Sequence, residues 1–75
     1  MMRKSEFARA VEDEFGEAYG RVLTRDLVIQ SLGDRTADQA IAQGESPRDV
    51  WLALCEAEGV PLPRRHGVGL PEPTS

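Results

Sequence analysis

The sequence predicts a small all-α protein: a bundle of four short helices, or of five if the second helix is broken. Apolar residues recur at intervals of three and four along much of the chain, which is the spacing of one helix face. Two signals that start a helix surround a glycine in the second half. No stretch alternates apolar and polar residues for long enough to predict a strand. With 75 residues, the chain has room for one domain.

The composition is that of an ordinary globular domain, with 40% hydrophobic and 29% charged residues. No apolar run approaches the roughly 20 residues that span a bilayer, and no secretion signal is visible, so we expect a cytoplasmic protein. The formal net charge of −4 disfavours nucleic acid and anionic membranes as partners. One cysteine and one histidine exclude an internal disulfide and leave too few ligands for a zinc site, so we expect neither metal nor cofactor.

The first half of the chain predicts two helices separated by a glycine. Ser5 is a suitable N-cap for the first helix, which we expect to end at Gly16. The second helix, from Glu17, has an apolar face wider than a normal amphipathic stripe. It is therefore either central and buried, or broken near Thr24, which would cap a second piece.

The second half predicts two helices joined by a tight turn. Thr36 with Gln39 has the pattern of a capping box, and Ser46 with Asp49 repeats it on the far side of Gly44. A proline directly after the second cap suits the first helical position. This helix pair is helix-turn-helix-like, since DNA-binding units of that kind use the same spacing.

A nucleic-acid role for this helix pair is the alternative function that the sequence leaves open. A helix that reads the major groove must approach phosphates and offer donors to base edges. The candidate contacts are Arg35, which precedes the pair, and Arg48, which is the one cation on the second helix. Asp49, Glu56 and Glu58 oppose them with negative charge. Packing within the bundle is therefore the favoured interpretation.

Four acidic residues near the end of the first helix form a candidate interaction patch. They are Glu12, Asp13, Glu14 and Glu17. They can form a helix face that is simply exposed to solvent (a solvated face), an acidic docking patch, or an oxygen-ligand site for a hard cation. The solvated face is the favoured interpretation.

A basic cluster, Arg64, Arg65 and His66, lies in the proline-rich tail. It can fold back onto the acidic patch, bind an acidic partner or keep the tail soluble. We expect the tail to be mobile from Gly67 onward.

The apolar faces of the predicted helices define the expected core. Cys55 follows Trp51 by one helical turn and is expected to be a small buried hydrophobe, not a nucleophile. The large side chains expected inside are Phe7, Val11, Phe15, Tyr19, Val22, Leu23, Leu27, Ile29, Leu32, Ile41, Val50, Trp51 and Leu54.

Dispersed motifs resemble one small bacterial family. They are Ser5-Glu6-Phe7, Glu14-Phe15-Gly16 with Tyr19, Arg25-Asp26, Gly33-Asp34-Arg35-Thr36-Ala37, Pro47-Arg48-Asp49-Val50-Trp51 with Leu54-Cys55, and Pro63-Arg64-Arg65-His66-Gly67. The chain looks like the short actinobacterial proteins classed as domain of unknown function 3046. That family has no assigned activity or catalytic residue, so the resemblance transfers no role to any position. Its genes often neighbour those of the strand-exchange recombinase and its regulator, which implies a DNA-maintenance context without a mechanism. The matching arginine-arginine-histidine-glycine ending favours a contact made by the tail.

We therefore expect three parts: an N-terminal extension over 1–4, a helical domain over 5–60 and a basic-then-polar tail over 61–75. The expected function is non-enzymatic interaction with another protein. A nucleic-acid accessory role is the alternative.

Overall fold

A computed structural model describes residues 2–65 and has the small all-α architecture that the sequence predicts. Within this range no strand occurs, although one isolated antiparallel bridge joins Ile29 and Arg35. None of the described helices has the length and apolar character needed to cross a membrane. The elements in chain order are α1 (Lys4–Phe15), α2 (Glu17–Asp26), a 3-10 helix (Gln30–Leu32), α3 (Ala37–Ala42), α4 (Pro47–Ala57) and a second 3-10 helix (Leu62–Arg64).

α1 begins at Lys4, so the prediction of Ser5 as its N-cap is wrong. Arg3 occupies the cap position, and its backbone N–H donates to Glu6 Oε1 at 2.9 Å. The Glu6 carboxylate thus accepts the hydrogen bond at the start of this helix, and a capping hydroxyl at position 5 is not needed. Met2, within the expected N-terminal extension, is only 1% exposed and belongs to the packed core.

The junction of α1 and α2 is a single residue, Gly16, as the sequence predicts. Its φ of +87° is a backbone conformation that side chains with a Cβ rarely adopt, and it lets α2 begin at once in a new direction. The two helices then pack closely at Gly20. A Cβ placed on Gly20 would lie 2.7 Å from Val11 Cγ1.

α2 is not broken near Thr24, which corrects one of the two alternatives for this helix. The helix continues through Thr24 to Asp26, and the buried Thr24 hydroxyl donates to the carbonyl of Arg21 at 3.2 Å. The apolar residues that widen the face of this segment in the sequence lie after the end of α2. Ile29 and Leu32 are buried there, at the start and end of the first 3-10 helix.

The helix pair α3–α4 has one of the two predicted capping boxes. Gln39 N–H donates to Thr36 Oγ1 at 3.1 Å, and Thr36 N–H donates to Gln39 Oε1 at 2.9 Å. Ser46 is the N-cap of α4, but its side chain accepts no capping hydrogen bond, so the second box is wrong. Pro47 occupies the first helical position, where its missing N–H costs no helical hydrogen bond. Gly44, with φ +96°, lies in the turn between the helices.

α4 is the central helix of the core. Val50, Trp51, Leu54 and Cys55 are each at most 1% exposed. The remaining buried apolar residues come from all parts of the described chain: Met2, Phe7, Ala10, Val11, Leu23, Ile29, Leu32, Ala37, Ala40 and Val60.

Two residues expected in the core are on the surface. Tyr19 is 53% exposed and Val22 is 44% exposed. The inward face of α2 is formed by Gly20, Leu23 and Thr24, which are spaced by three and four residues. Tyr19 and Val22 lie beside this face.

Candidate interaction site

The four acidic residues do not form one patch. Residues two apart on an α-helix point in nearly opposite directions, because each residue turns the helix by about 100°. Glu12 accordingly lines a groove beside α2 together with Glu17, whereas Glu14 contacts the C-terminal segment. Asp13 is exposed. The predicted patch is therefore divided between two surfaces with different surroundings.

Arg64 makes the fold-back contact that the sequence leaves open. Its guanidinium forms an ion pair with the Glu14 carboxylate, in which Arg64 Nε lies 3.4 Å from Glu14 Oε1. The Glu14 side chain is only 12% exposed. The pair joins residues that are 50 positions apart and holds the second 3-10 helix against α1.

Arg65 is bound to the end of α4 by three hydrogen bonds. The indole Nε1–H of Trp51 donates to the Arg65 carbonyl at 2.8 Å. Arg65 Nε donates to the Val60 carbonyl at 2.6 Å, and its Nη1 donates to Glu56 Oε2 at 3.0 Å. We call residues 61–65, with these contacts, the C-terminal latch. His66 and the expected mobile tail from Gly67 lie outside the described residues.

An open groove of about 330 Å³ lies between α1, α2 and α3. Phe7 and Val11 contribute apolar surface from α1, and Ile41 contributes it from α3. Ala8 is exposed and has a short side chain, so it fills little of the groove. The full lining is Lys4, Phe7, Ala8, Val11, Glu12, Gly16, Glu17, Gly20, Arg21, Thr24, Asp38 and Ile41.

The charged groups around the groove carry a small excess of negative charge. Glu17 and Arg21 form an ion pair at 3.3 Å, and both side chains are more than 70% exposed. Glu12, Asp38 and Lys4 are the other charged residues of the lining, and all three are exposed. The groove thus combines an apolar floor with a mixed but predominantly acidic border.

The two arginines of the nucleic-acid alternative have different surroundings. Arg35 is held within the protein: its Nε donates to the Leu32 carbonyl at 2.6 Å and its Nη1 to Gln43 Oε1 at 2.8 Å. Its Nη2 also lies 3.2 Å from Glu45 Oε2. Arg48 is exposed on α4. On α4, Val50, Trp51, Leu54 and Cys55 are buried in the bundle, and the exposed residues beside Arg48 include the acidic Asp49 and Glu56.

The Cys55 thiol is buried, as the sequence predicts. Burial raises its pKa to about 12; Arg65 opposes this rise and Glu14 adds to it. The thiol is therefore protonated near neutral pH and is a poor nucleophile. Within residues 2–65 no group of three or more histidine, cysteine or acidic side chains is arranged to hold a metal ion.

The raised pKa of Cys55 predicts a loss of stability at alkaline pH. In the unfolded chain the thiol ionises near pH 8.5, whereas in the folded protein it stays protonated to about pH 12. The contribution of Cys55 is fully present below about pH 8.5 and is lost as the pH rises toward 12. Between pH 8 and 10 the free energy of unfolding should fall by about 2 kcal/mol more than in Cys55→Ala. Urea titrations of both proteins measure this difference, and equal slopes would contradict it.

Sequence reasoning missed the groove as a candidate site. Ala8 and Gly20 carry no signal as single residues, and Ile41 is expected in the core. The available signal was the spacing of Lys4, Ala8 and Glu12, which places them on one side of α1. The signal was incomplete because the facing residues come from two other helices.

Together, the fold and the groove define a small helical bundle with an open apolar cleft and a latched C-terminal segment. Residues 2–63 match the family model described as a protein of unknown function, DUF3046. The chain belongs to this family, which confirms the resemblance seen in its motifs. No curated protein and no solved structure matches the chain.

Proposed function

We propose that this protein is a non-enzymatic interaction module that binds another protein through the groove between α1, α2 and α3. The observation that carries the proposal is the groove itself: about 330 Å³ of open space with apolar side chains on its floor and charged side chains around it. Protein-binding clefts combine these properties, since apolar contacts supply affinity and polar groups at the border supply orientation.

The basic tail has a different role in this proposal from the one expected from sequence. Arg64 and Arg65 are engaged with Glu14 and Glu56 in the same chain, so their charges are partly neutralised. A partner that used them would first have to break these contacts. The groove requires no such rearrangement, and it includes Glu12 and Glu17 from the acidic set.

The chemistry of Cys55 supports a non-enzymatic role. Its thiol is the strongest nucleophile that the sequence offers, and it is buried with a pKa raised to about 12. The nucleic-acid alternative has less support from the geometry. Arg35 is held by three neighbours, and α4 carries one cation, Arg48, against the carboxylates of Asp49 and Glu56.

Ala8→Arg should abolish partner binding without unfolding the protein. Ala8 is exposed on α1 and lines the groove, so a long cationic side chain there would fill the cleft. Arginine is nearly as good a helix former as alanine, so stability should change by less than about 0.5 kcal/mol. Affinity capture from an extract of the native cells, quantified by mass spectrometry, should show at least a tenfold loss of the principal partner.

Ala57→Arg is the matched control for this experiment. Ala57 is an exposed alanine at the end of α4, outside the groove lining, and the substitution adds the same charge. It should leave capture unchanged. Equal capture by the wild-type protein and both variants would place the partner elsewhere on the surface and refute the groove as the binding site.

A further inference from the structure

We infer that the groove accepts a basic amphipathic peptide segment of a partner protein, with apolar side chains on the floor and a lysine or arginine near Glu12 or Asp38. This inference rests on the proposed function and names the chemistry of the partner. Three observations support it: the charges around the groove, the apolar side chains of its floor, and the charge of the two other molecules or segments that could occupy it.

The charge balance of the groove border favours a cationic ligand. Three carboxylates and two cations belong to the lining, and one pair, Glu17 with Arg21, is already joined at 3.3 Å. Within the lining, Glu12 and Asp38 then face Lys4 alone, although Arg25, outside the lining, also interacts electrostatically with Asp38. Complementary charge on an incoming peptide would orient it and accelerate its association.

The floor favours an apolar side chain between these charges. Phe7, Val11 and Ile41 contribute hydrocarbon surface to the lining, and Ala8 adds a short apolar side chain. Peptides that dock in such clefts use an apolar face with charged residues beside it. The ligand is therefore amphipathic and not simply basic.

Charge also argues against two other occupants. A second copy of this chain carries the same net charge of −4, so self-association would bring like charges together. The chain's own residues 66–75 contain Glu72 and no lysine or arginine, so they offer no fixed positive charge to Glu12 or Asp38. A partner with basic residues has neither disadvantage.

A phage-displayed library of random 12-residue peptides, selected on the full-length protein, tests this inference. The enriched peptides should carry at least two more basic than acidic residues and several apolar residues. Synthetic copies, titrated by fluorescence anisotropy, should lose binding to Ala8→Arg and keep it with Ala57→Arg. The double charge reversal Glu12→Lys with Asp38→Lys should weaken binding about tenfold, because two exposed attractions become repulsions.

A second double reversal separates local charge from net charge. Asp13→Lys with Asp49→Lys makes the same change in net charge at exposed positions outside the groove lining. It should weaken binding less than twofold. Equal losses from both double variants would mean that the overall charge, and not the groove border, attracts the peptide.

The possible outcomes distinguish this inference from the proposed function. Enriched peptides that are acidic or uncharged, and that still lose binding to Ala8→Arg, would overturn the basic ligand and leave the groove as the site. Peptides that bind Ala8→Arg as tightly as the wild-type protein, or no enrichment at all, would contradict both the basic ligand and the groove as the binding site. Concentration-dependent dimers disrupted by Ala8→Arg would identify a second copy as the occupant. Leu70→Asp replaces a large apolar side chain of residues 66–75 with a charge, and a tenfold gain in peptide affinity in this variant would identify the chain's own tail as the occupant.

Discussion

Trp51→Ala is expected to leave most of the protein unfolded at room temperature. Trp51 is 1% exposed and packs edge-on against the ring of Phe15, with ring centroids 6.4 Å apart. Removing a buried tryptophan costs about 3 to 5 kcal/mol, and a domain of this size has a total stability near 5 kcal/mol. Far-UV circular dichroism during urea titration measures the loss directly.

Trp51→Phe separates the packing of the ring from its hydrogen bond. Phenylalanine keeps much of the apolar surface but lacks the N–H that donates to the Arg65 carbonyl. This variant should fold, with a loss of about 1 to 3 kcal/mol that includes the poorer filling of the site. An alanine variant with a urea midpoint close to that of the phenylalanine variant would contradict the central role assigned to the ring.

Gly20→Val is expected to destabilise the protein by about 2 kcal/mol, because α1 and α2 touch at this position. A Cβ on residue 20 would lie 2.7 Å from Val11 Cγ1 and 3.3 Å from the Val11 carbonyl oxygen. The side-chain atom can shift only by a change of rotamer, which a β-branched residue in a helix resists. Replacing a helical glycine gains less than about 1 kcal/mol of helix propensity, so overpacking outweighs this gain.

Two further variants test the cause of this loss. Ala18→Val adds the same side chain to an exposed position of α2 and should change stability by less than about 0.7 kcal/mol. The double variant Gly20→Val with Val11→Ala moves volume from one side of the contact to the other. It should be more stable than the sum of the single losses predicts, by about 1 kcal/mol. Strict additivity would show that Gly20 and Val11 do not compete for the same space.

Helix boundaries governed by local chemistry were predictable from the sequence. Gly16 separates α1 from α2, and the reciprocal bonds of Thr36 and Gln39 start α3, because the interacting groups are within four residues of each other. The N-cap of α1 was misplaced by two residues. Ser5 and Arg3 compete for the cap, and the carboxylate of Glu6 decides between them.

Properties that depend on how the helices pack were less predictable. The apolar stretch after Leu23 was consistent with one wide helix face or with a break, and periodicity alone does not distinguish these. In the structure the helix ends at Asp26; Ile29, the N-cap of the following 3-10 helix, and Leu32, its last residue, are buried, whereas Val28 is exposed. Tyr19 was assigned to the core for the same reason. It is instead half exposed, and its hydroxyl donates to Glu58 Oε1 at 2.9 Å.

The candidate site was predicted only in part. The sequence identified Glu12 and Glu17, but it grouped them with Glu14, whose contact with Arg64 spans 50 positions. The groove requires residues from three helices, and no local pattern brings Ile41 beside α1. The fold-back of the basic cluster was one of three alternatives that charge alone left open.

The hydrogen bond between Trp51 and Arg65 gives the molecule an internal optical signal. The sequence contains a single tryptophan, and its indole N–H is bonded to the carbonyl of the last described residue. Indole emission depends on the polarity around the ring and on the partner of its N–H. The wavelength of maximum tryptophan emission therefore reports whether residues 61–65 are docked, without any added label. A binding partner that displaced this segment would shift the emission to longer wavelength, while one that occupied only the groove, whose lining does not include Trp51, would leave it unchanged.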